Sequence, residues 1–227
     1  VGVRFCRVTF WEVCREIKNS FQFFISKAVT AVYTNTNGII LKSTLGGTAA
    51  GLYTNADKII SAAKNAMGPI ADSLYPHMVK HKNFKLIKKA LLLIYPVILL
   101  GCVLVFLLAE PLLKLWLGPE GGQVAAPLRM LIPVAVFTFP NYLLGYPTLG
   151  AMGLVHYANI STIMGTVVYL AGVGLLALTG NATLLGLCAL TSCSELSSLV
   201  FRVAIIYKNR RLLRGGEEET AKDGDAT

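Results

Sequence analysis

The sequence predicts an all-α, polytopic membrane protein built as a bundle of six transmembrane helices. Hydrophobic residues make up 54% of the chain and charged residues only 15%, whereas soluble domains average about 25% charged residues. Two stretches, residues 90–109 and 130–194, carry no charged side chain, and about 20 apolar residues suffice to cross a bilayer. Segments of about ten residues with alternating polarity, which a membrane barrel would need, are not seen in the sequence.

The apolar stretches and their polar interruptions divide the chain into three parts. Residues 1–18 are predicted to form an amphipathic lead-in at the cytosolic interface, because apolar and charged side chains fall on different faces of a helix there. Residues 19–208 form the six-span bundle, and residues 209–227, rich in Gly, Glu and Asp, are predicted to be a disordered cytosolic tail. The six spans are predicted at about residues 20–41, 51–78, 88–109, 124–146, 155–178 and 184–206.

The positions of the basic residues predict the orientation of the spans. Thirteen of the 21 Lys and Arg residues lie in three clusters: before the first span, at residues 80–89 between the second and third, and at residues 208–214 after the sixth. A six-span arrangement places all of these on one side, which the positive-inside rule identifies as the cytoplasm. We therefore expect a multi-pass membrane protein with both termini cytoplasmic. The net charge of +9 is then a topology signal, and no nucleic-acid partner is expected.

The first two spans each carry a polar stripe. At about 100° per residue, polar residues gather on one face of each helix, within about 100° of arc in the second span. A charged side chain inside a membrane must face a partner or water, so two neighbouring striped helices predict a water-filled cavity, the layout of a transporter. The stripes comprise Asn19, Ser26, Lys27, Thr30, Tyr33, Thr34 and Asn37 in the first span, and Thr54, Asp57, Ser61, Lys64, Asn65, Gly68, Asp72 and Tyr75 in the second.

Individual charges in these stripes allow two interpretations. Lys64 lies 13 residues after Gly51, roughly 20 Å into the membrane, with Asp57 two turns before it on the same face. The pair either binds an anionic substrate or a coupling ion, or only forms an interhelical salt bridge. Lys27 either faces the cavity or extends to the cytoplasmic headgroups. Asp72 is interpreted as structural, close to the cytoplasmic interface.

The fourth and sixth spans contain further candidates. Thr191, Glu195, Ser198 and Arg202 recur on one face of the sixth span. Glu195 is either a proton-linked carboxylate or the structural partner of a cation on another helix, and Arg202 is predicted at the interface. Four prolines predict that the fourth span is kinked or broken; they are Pro127, Pro133, Pro140 and Pro147.

No pattern in the sequence predicts an enzyme, a cofactor or a metal site. His77 and His81 have a spacing that can bind a metal, but no third ligand is evident beside them. The five cysteines form no Cys-x-x-Cys pair. A nucleophile elbow, a phosphate-binding loop and a dinucleotide fingerprint are all missing from the sequence.

A series of short motifs follows the six predicted spans in a fixed order and spacing. The motifs are residues 46–53 (GGTAAGLY), 56–59 (ADKI), 74–76 (LYP), 109–112 (AEPL), 116–118 (WLG), 128–131 (LRML), Gly186 and 194–196 (SEL). Together they resemble the second half of bacterial polysaccharide flippases, the O-antigen (Wzx-type) branch of the MOP superfamily. The resemblance extends over roughly residues 10–208 and implies a location in the bacterial inner membrane.

The resemblance implies a fold and a function. Such flippases have about twelve spans in two similar bundles, and this chain resembles the C-terminal bundle. They translocate undecaprenyl-pyrophosphate-linked oligosaccharide from the inner to the outer leaflet by alternating access, for surface polysaccharide biosynthesis. The implied partners are the lipid bilayer, the lipid-linked oligosaccharide and an N-terminal six-span half that is missing or is a separate chain. The candidate cavity-lining residues are Lys27, Thr30, Thr34, Asn37, Asp57, Lys58, Ser61, Lys64 and Asn65.

Two other functions remain open at this stage. A MATE-like, cation-coupled multidrug exporter of the same superfamily would have the same fold, with carboxylates such as Asp57 dominating its function. Alternatively, the chain is a non-transporting membrane fragment or an assembly partner. Neither composition nor spacing distinguishes these alternatives.

Overall fold

A computed structural model describes residues 10–180 and 183–210, apart from the side chains of residues 10–20, 22–23, 26–40 and 44. The described chain is helical throughout and contains no strand, which confirms the all-α prediction. Five α-helices follow one another: α1 (Phe10–His81), α2 (Phe84–Leu117), α3 (Ala125–Leu143), α4 (Val155–Leu178) and α5 (Leu184–Lys208). A 3₁₀ segment, Pro119–Val124, precedes α3, and a π-helical segment, Leu144–Leu149, follows it.

Helix α1 consists of two helical segments that meet at Gly46. This glycine has φ 85° and ψ 173°, a left-handed conformation that residues with a side chain rarely adopt. The first two predicted spans lie on either side of it. The sequence predicted a connecting segment at residues 42–50, and the structure has a kink at one glycine instead.

Within the described part of the chain, four helical segments are long and apolar enough to cross a membrane. They are Phe84–Leu117, Pro119–Leu149, Val155–Leu178 and Leu184–Lys208, and they correspond to the third to sixth predicted spans. Helix α1 is not among them, because its charged and polar side chains lower its mean hydropathy. The prediction of six spans therefore stays a prediction for the first two.

The four apolar segments differ in how deeply they are buried within the chain. No residue in the most apolar stretch of α2 is buried, whereas 56% of the corresponding stretch around α3 is. Helix α3 is thus the centre of the bundle, and α2 lies at its periphery. Around α3, Leu128 and Leu131 pack with Ile60 of α1 and Leu187 of α5. Further along the chain, Phe139 of α3 belongs to a second cluster of buried residues.

Helix α3 ends in an irregular segment, which confirms the predicted break in the fourth span. Gly145 departs from helical geometry, with ψ −116°. Pro147 has no N–H to donate to the carbonyl oxygen four residues earlier, that of Leu143. The hydroxyl of Thr148 donates to this oxygen at 2.8 Å, so the buried carbonyl has a partner despite the proline.

Helices α4 and α5 approach each other closely through small residues. Gly165 of α4 lies against Ser194 and Ser198 of α5. The hydroxyl of Ser198 donates to the carbonyl oxygen of Ser161 at 2.9 Å. Small residues and interhelical hydrogen bonds of this kind are how helices associate in membranes, where the hydrophobic effect does not drive them together.

We expect Gly165→Ala to destabilise the bundle by about 1–3 kcal/mol, because overpacking forces the helices apart. A β-carbon at this position would lie 3.1 Å from the backbone oxygen of Ser194 and would collide with the Ser198 hydroxyl. The free energy of unfolding, measured by SDS titration of the protein in mixed micelles, tests this expectation.

Gly174→Ala is the matched control in the same helix, since a β-carbon there meets no atom within 4 Å. We expect its unfolding free energy to stay within about 0.5 kcal/mol of the unmodified chain, or to rise through helix propensity. Equal destabilisation by the two substitutions would contradict the close α4–α5 packing.

Candidate functional site

The second segment of α1 buries one face against the rest of the bundle. The buried residues recur at helical spacing along it; they are Tyr53, Ala56, Ile60, Met67, Ala71 and Met78. The predicted polar stripe lies along the edge of this buried face. Asp57, Ser61 and Lys64 are consequently partly buried, whereas Lys58 and Asn65 are exposed.

Lys64 forms an ion pair with Glu195 that joins α1 to α5. The Nζ of Lys64 donates to Oε1 of Glu195 at 3.0 Å, and the two side chains are 26% and 22% exposed. For both residues, one of the sequence-based interpretations was a salt bridge to an oppositely charged residue on another helix, and the structure contains this salt bridge. A pair of this kind lowers the cost of placing both charges inside a bundle.

Asn141 of α3 also holds the Glu195 carboxylate. Its side-chain amide donates to Oε2 of Glu195 at 3.2 Å and to the Glu195 backbone oxygen at 3.0 Å. Asn141 is only 4% exposed. Its side-chain oxygen is buried and has no hydrogen-bond partner within the described residues. Sequence reasoning missed this residue, although it follows Pro140 inside the long uncharged stretch, where a polar amide is conspicuous.

Arg202 of α5 is buried within the bundle, and its predicted position near the membrane interface stays a prediction. It is 8% exposed, and its guanidinium donates to the Ser161 hydroxyl at 2.7 Å and to the Thr162 hydroxyl at 3.2 Å. A third hydrogen bond goes to the backbone oxygen of Asn141. Space for the guanidinium exists because Gly145 has no side chain: a β-carbon there would lie 2.8 Å from Nη1.

Glu195 and Arg202 are connected through Asn141. They lie seven residues apart on one helix, about 10 Å along its axis, and Asn141 contacts both of them. We call Asp57, Ser61, Lys64, Asn141, Glu195 and Arg202 the polar cluster.

The polar cluster contains equal numbers of acidic and basic side chains. Asp57 accepts a hydrogen bond from the hydroxyl of Ser61 at 3.4 Å and lies within the electrostatic reach of Lys64. Two carboxylates thus accompany two cations, Lys64 and Arg202. This balance makes a charged interior compatible with a membrane, where an isolated charge is costly.

Lys58 and Asn65, which were predicted to line the cavity, are exposed and lie outside the polar cluster. Lys27, Thr30, Thr34 and Asn37 lie in the first segment of α1, but their side chains are outside the described part of the chain. Asp72, interpreted as structural, is exposed. The rings of His77 and His81 lie 4.7 Å apart, and the described residues contain no group of three or more potential metal ligands.

These features define a class: a multi-pass helical membrane protein whose bundle encloses a charge-balanced polar cluster. Comparison with known proteins narrows this class. Residues 12–82 match the family model of polysaccharide biosynthesis proteins. A segment of 69 residues is 32% identical to a proposed O-antigen transporter of Shigella dysenteriae. No solved structure matches the chain.

The two matches confirm a resemblance to polysaccharide biosynthesis and O-antigen transport proteins, and the family match contains the motifs up to residue 76 but none of those from residue 109 onward. The segment similar to the Shigella protein is 30% of this chain and 17% of that relative. The chain therefore matches less than a fifth of its curated relative. The family model ends at residue 82, so it covers nearly all of α1 and none of α2 to α5.

We expect Lys64 and Glu195 to be energetically coupled by at least about 1 kcal/mol, because each single substitution leaves a partly buried charge without its partner. A double-mutant cycle with Lys64→Met and Glu195→Gln measures the coupling through the free energy of unfolding in mixed micelles.

The exposed pair Glu110–Lys114 is the matched control, with side chains 50% and 51% exposed at 2.6 Å. An exposed i,i+4 pair contributes about 0.3–0.5 kcal/mol. If Glu110→Gln and Lys114→Met show as large a coupling as the interior pair, burial does not strengthen the Lys64–Glu195 contact.

Proposed function

We propose that this chain is the C-terminal bundle of a flippase in the bacterial inner membrane. Its substrate is an undecaprenyl-pyrophosphate-linked oligosaccharide, moved from the inner to the outer leaflet by alternating access for surface polysaccharide biosynthesis. Both termini are cytoplasmic in this proposal. The reaction transports the molecule without chemical change, so the chain acts as a transporter and not as an enzyme.

The observation that carries the proposal is the coincidence of the family match with the polar stripes. The matched residues, 12–82, contain both striped segments of α1. The second of these segments supplies three members of the polar cluster, Asp57, Ser61 and Lys64. The match therefore falls on the part of the chain where polar side chains indicate a cavity.

Lys64 has the chemistry that a pyrophosphate group requires. A lysine ammonium is a compact point charge that binds phosphate oxygens, and this one is partly exposed beside an exposed polar surface. In our proposal the pyrophosphate exchanges with the Glu195 carboxylate as the partner of Lys64. Asn141 still donates to Glu195 after the exchange, so the released carboxylate keeps a hydrogen bond inside the bundle.

The exposed side of the polar stripe supports a second bundle as partner. Thr54, Lys58, Asn65 and Asp72 lie on a surface that the described residues leave uncovered. Four polar side chains along a helix at membrane depth need water or another protein surface beside them. We propose that an N-terminal six-span half, on the same or a separate chain, completes the cavity there.

Lys64→Ala, introduced at the chromosomal locus so that any companion half is present, is expected to lower surface polysaccharide at least about tenfold, because a desolvated charge contact is lost. Lipid-linked oligosaccharide should accumulate in the cytoplasmic leaflet at the same time. Immunoblotting of the polysaccharide and of the membrane-bound chain separates lost transport from lost protein.

Three further variants distinguish a transport role from a packing role. Lys64→Ala combined with Glu195→Gln removes both charges of the pair, so we expect normal membrane abundance without recovery of polysaccharide. Lys64→Arg keeps the cation and should retain part of the polysaccharide. Lys42→Ala removes an exposed lysine elsewhere on α1 and should have no effect. A wild-type amount of surface polysaccharide in the double variant would show that Lys64 is not needed for transport.

Asp57→Asn tests the alternative function. Loss of drug efflux in this variant would favour the multidrug exporter.

A further inference from the structure

A shallow groove lies on the outer surface of α2 near its first residue. It has a volume of about 340 Å³ and is lined by Lys85, Lys88, Lys89, Leu92 and Leu93, which we call the lysine groove. All five residues lie beyond residue 82, where the family match ends. The similarity to polysaccharide biosynthesis proteins therefore assigns no role to them.

The first residues of α2 anchor the helix so that the lysine groove faces away from the bundle. The side chain of Asn83 accepts a hydrogen bond from the backbone N–H of Leu86 at 3.4 Å and caps the helix. Phe84 and Ile87 are buried against the bundle. Residues 85, 88, 89, 92 and 93 recur at three- and four-residue spacing, so they share the face turned away from those anchors.

The lysine groove joins a basic surface to an apolar one. Lys85 and Lys88 are exposed, and about 10 Å further along the helix axis Leu92 begins a run of exposed apolar side chains. The run continues through Val97, Leu100 and Leu104. This surface therefore changes from charged to apolar over a distance that matches the change from lipid headgroups to acyl chains.

The charge of the lysine groove is not balanced within the described part of the chain. Lys85, Lys88 and Lys89 have no ion pair with a described carboxylate. Three ammonium groups within about five residues repel one another unless an anion lies between them. The exposed lysine Lys114, at the opposite end of α2, differs in having Glu110 as its partner.

The geometry points to a binding site for one anionic phospholipid of the surrounding leaflet. The lysine ammonium groups bind the phosphate of its headgroup, and Leu92 and Leu93 contact the upper part of its acyl chains. Charge complementarity favours an anionic over a zwitterionic headgroup. The apolar half of the groove favours a lipid over a free phosphate, which would leave Leu92 and Leu93 exposed to water. The site does not depend on the transported substrate.

Native mass spectrometry of the full chain, released from zwitterionic detergent, tests this site. The probes are dioleoylphosphatidylglycerol, dioleoylphosphatidylcholine and sn-glycerol 3-phosphate. We expect the chain to retain phosphatidylglycerol in preference to the other two. The triple variant Lys85→Gln, Lys88→Gln, Lys89→Gln should bind it at least about tenfold more weakly.

Two matched variants control for net charge and for folding. Lys42→Gln, Lys80→Gln, Lys208→Gln removes three exposed lysines that do not line the lysine groove, and it should bind phosphatidylglycerol as the unmodified chain does. Replacing Lys85, Lys88 and Lys89 by Arg keeps the charge and should preserve binding. Unchanged affinity in the groove Gln variant, equal loss in the control variant, or equal retention of glycerol phosphate would overturn the proposal.

Discussion

The interior of this bundle is organised by the requirement that charges away from water have partners. Lys64, Glu195, Asn141 and Arg202 form a continuous chain of contacts from α1 through α5 and α3. Arg202 extends this chain to α4 through the hydroxyls of Ser161 and Thr162. Four helices are thus joined by interactions between named atoms and not by apolar packing alone. Because an unpaired charge is costly in such surroundings, the chain of contacts also selects one relative arrangement of these helices.

The irregular end of α3 and the burial of Arg202 depend on each other. A side chain at residue 145 would occupy the space that the guanidinium fills. Arg202 also donates to the backbone oxygen of Asn141, four residues before Gly145, where the backbone departs from helical geometry. Pro147 removes one backbone hydrogen bond, and Thr148 supplies a substitute from its side chain. The backbone oxygens of Asn141 and Leu143 at the break therefore both accept side-chain hydrogen bonds.

Features that depend on local periodicity and composition were predicted from the sequence. Contacts that depend on which helices are neighbours were not. The third to sixth spans and the break in α3 follow from apolar length and from proline chemistry, which are local properties. The face shared by Glu195 and Arg202 also follows from spacing. The position of Asn141 between these two residues and the burial of Arg202 depend on the packing of α3 against α5. Helical periodicity shows which residues share a face, but it does not identify the helix that packs against that face.

The two cations of the polar cluster differ in a way that bears on transport. Arg202 is almost fully buried and donates to three oxygen atoms on α3 and α4, so displacing it would leave several buried groups unsatisfied. Lys64 is about a quarter exposed, at the edge of the packed face of α1. Its partner Glu195 has a second donor in Asn141 and remains hydrogen-bonded if the ion pair opens. Exchange of partners is therefore less costly at Lys64 than at Arg202. We therefore propose that Arg202 holds the helices in place and that Lys64 is the cation that binds a negatively charged substrate.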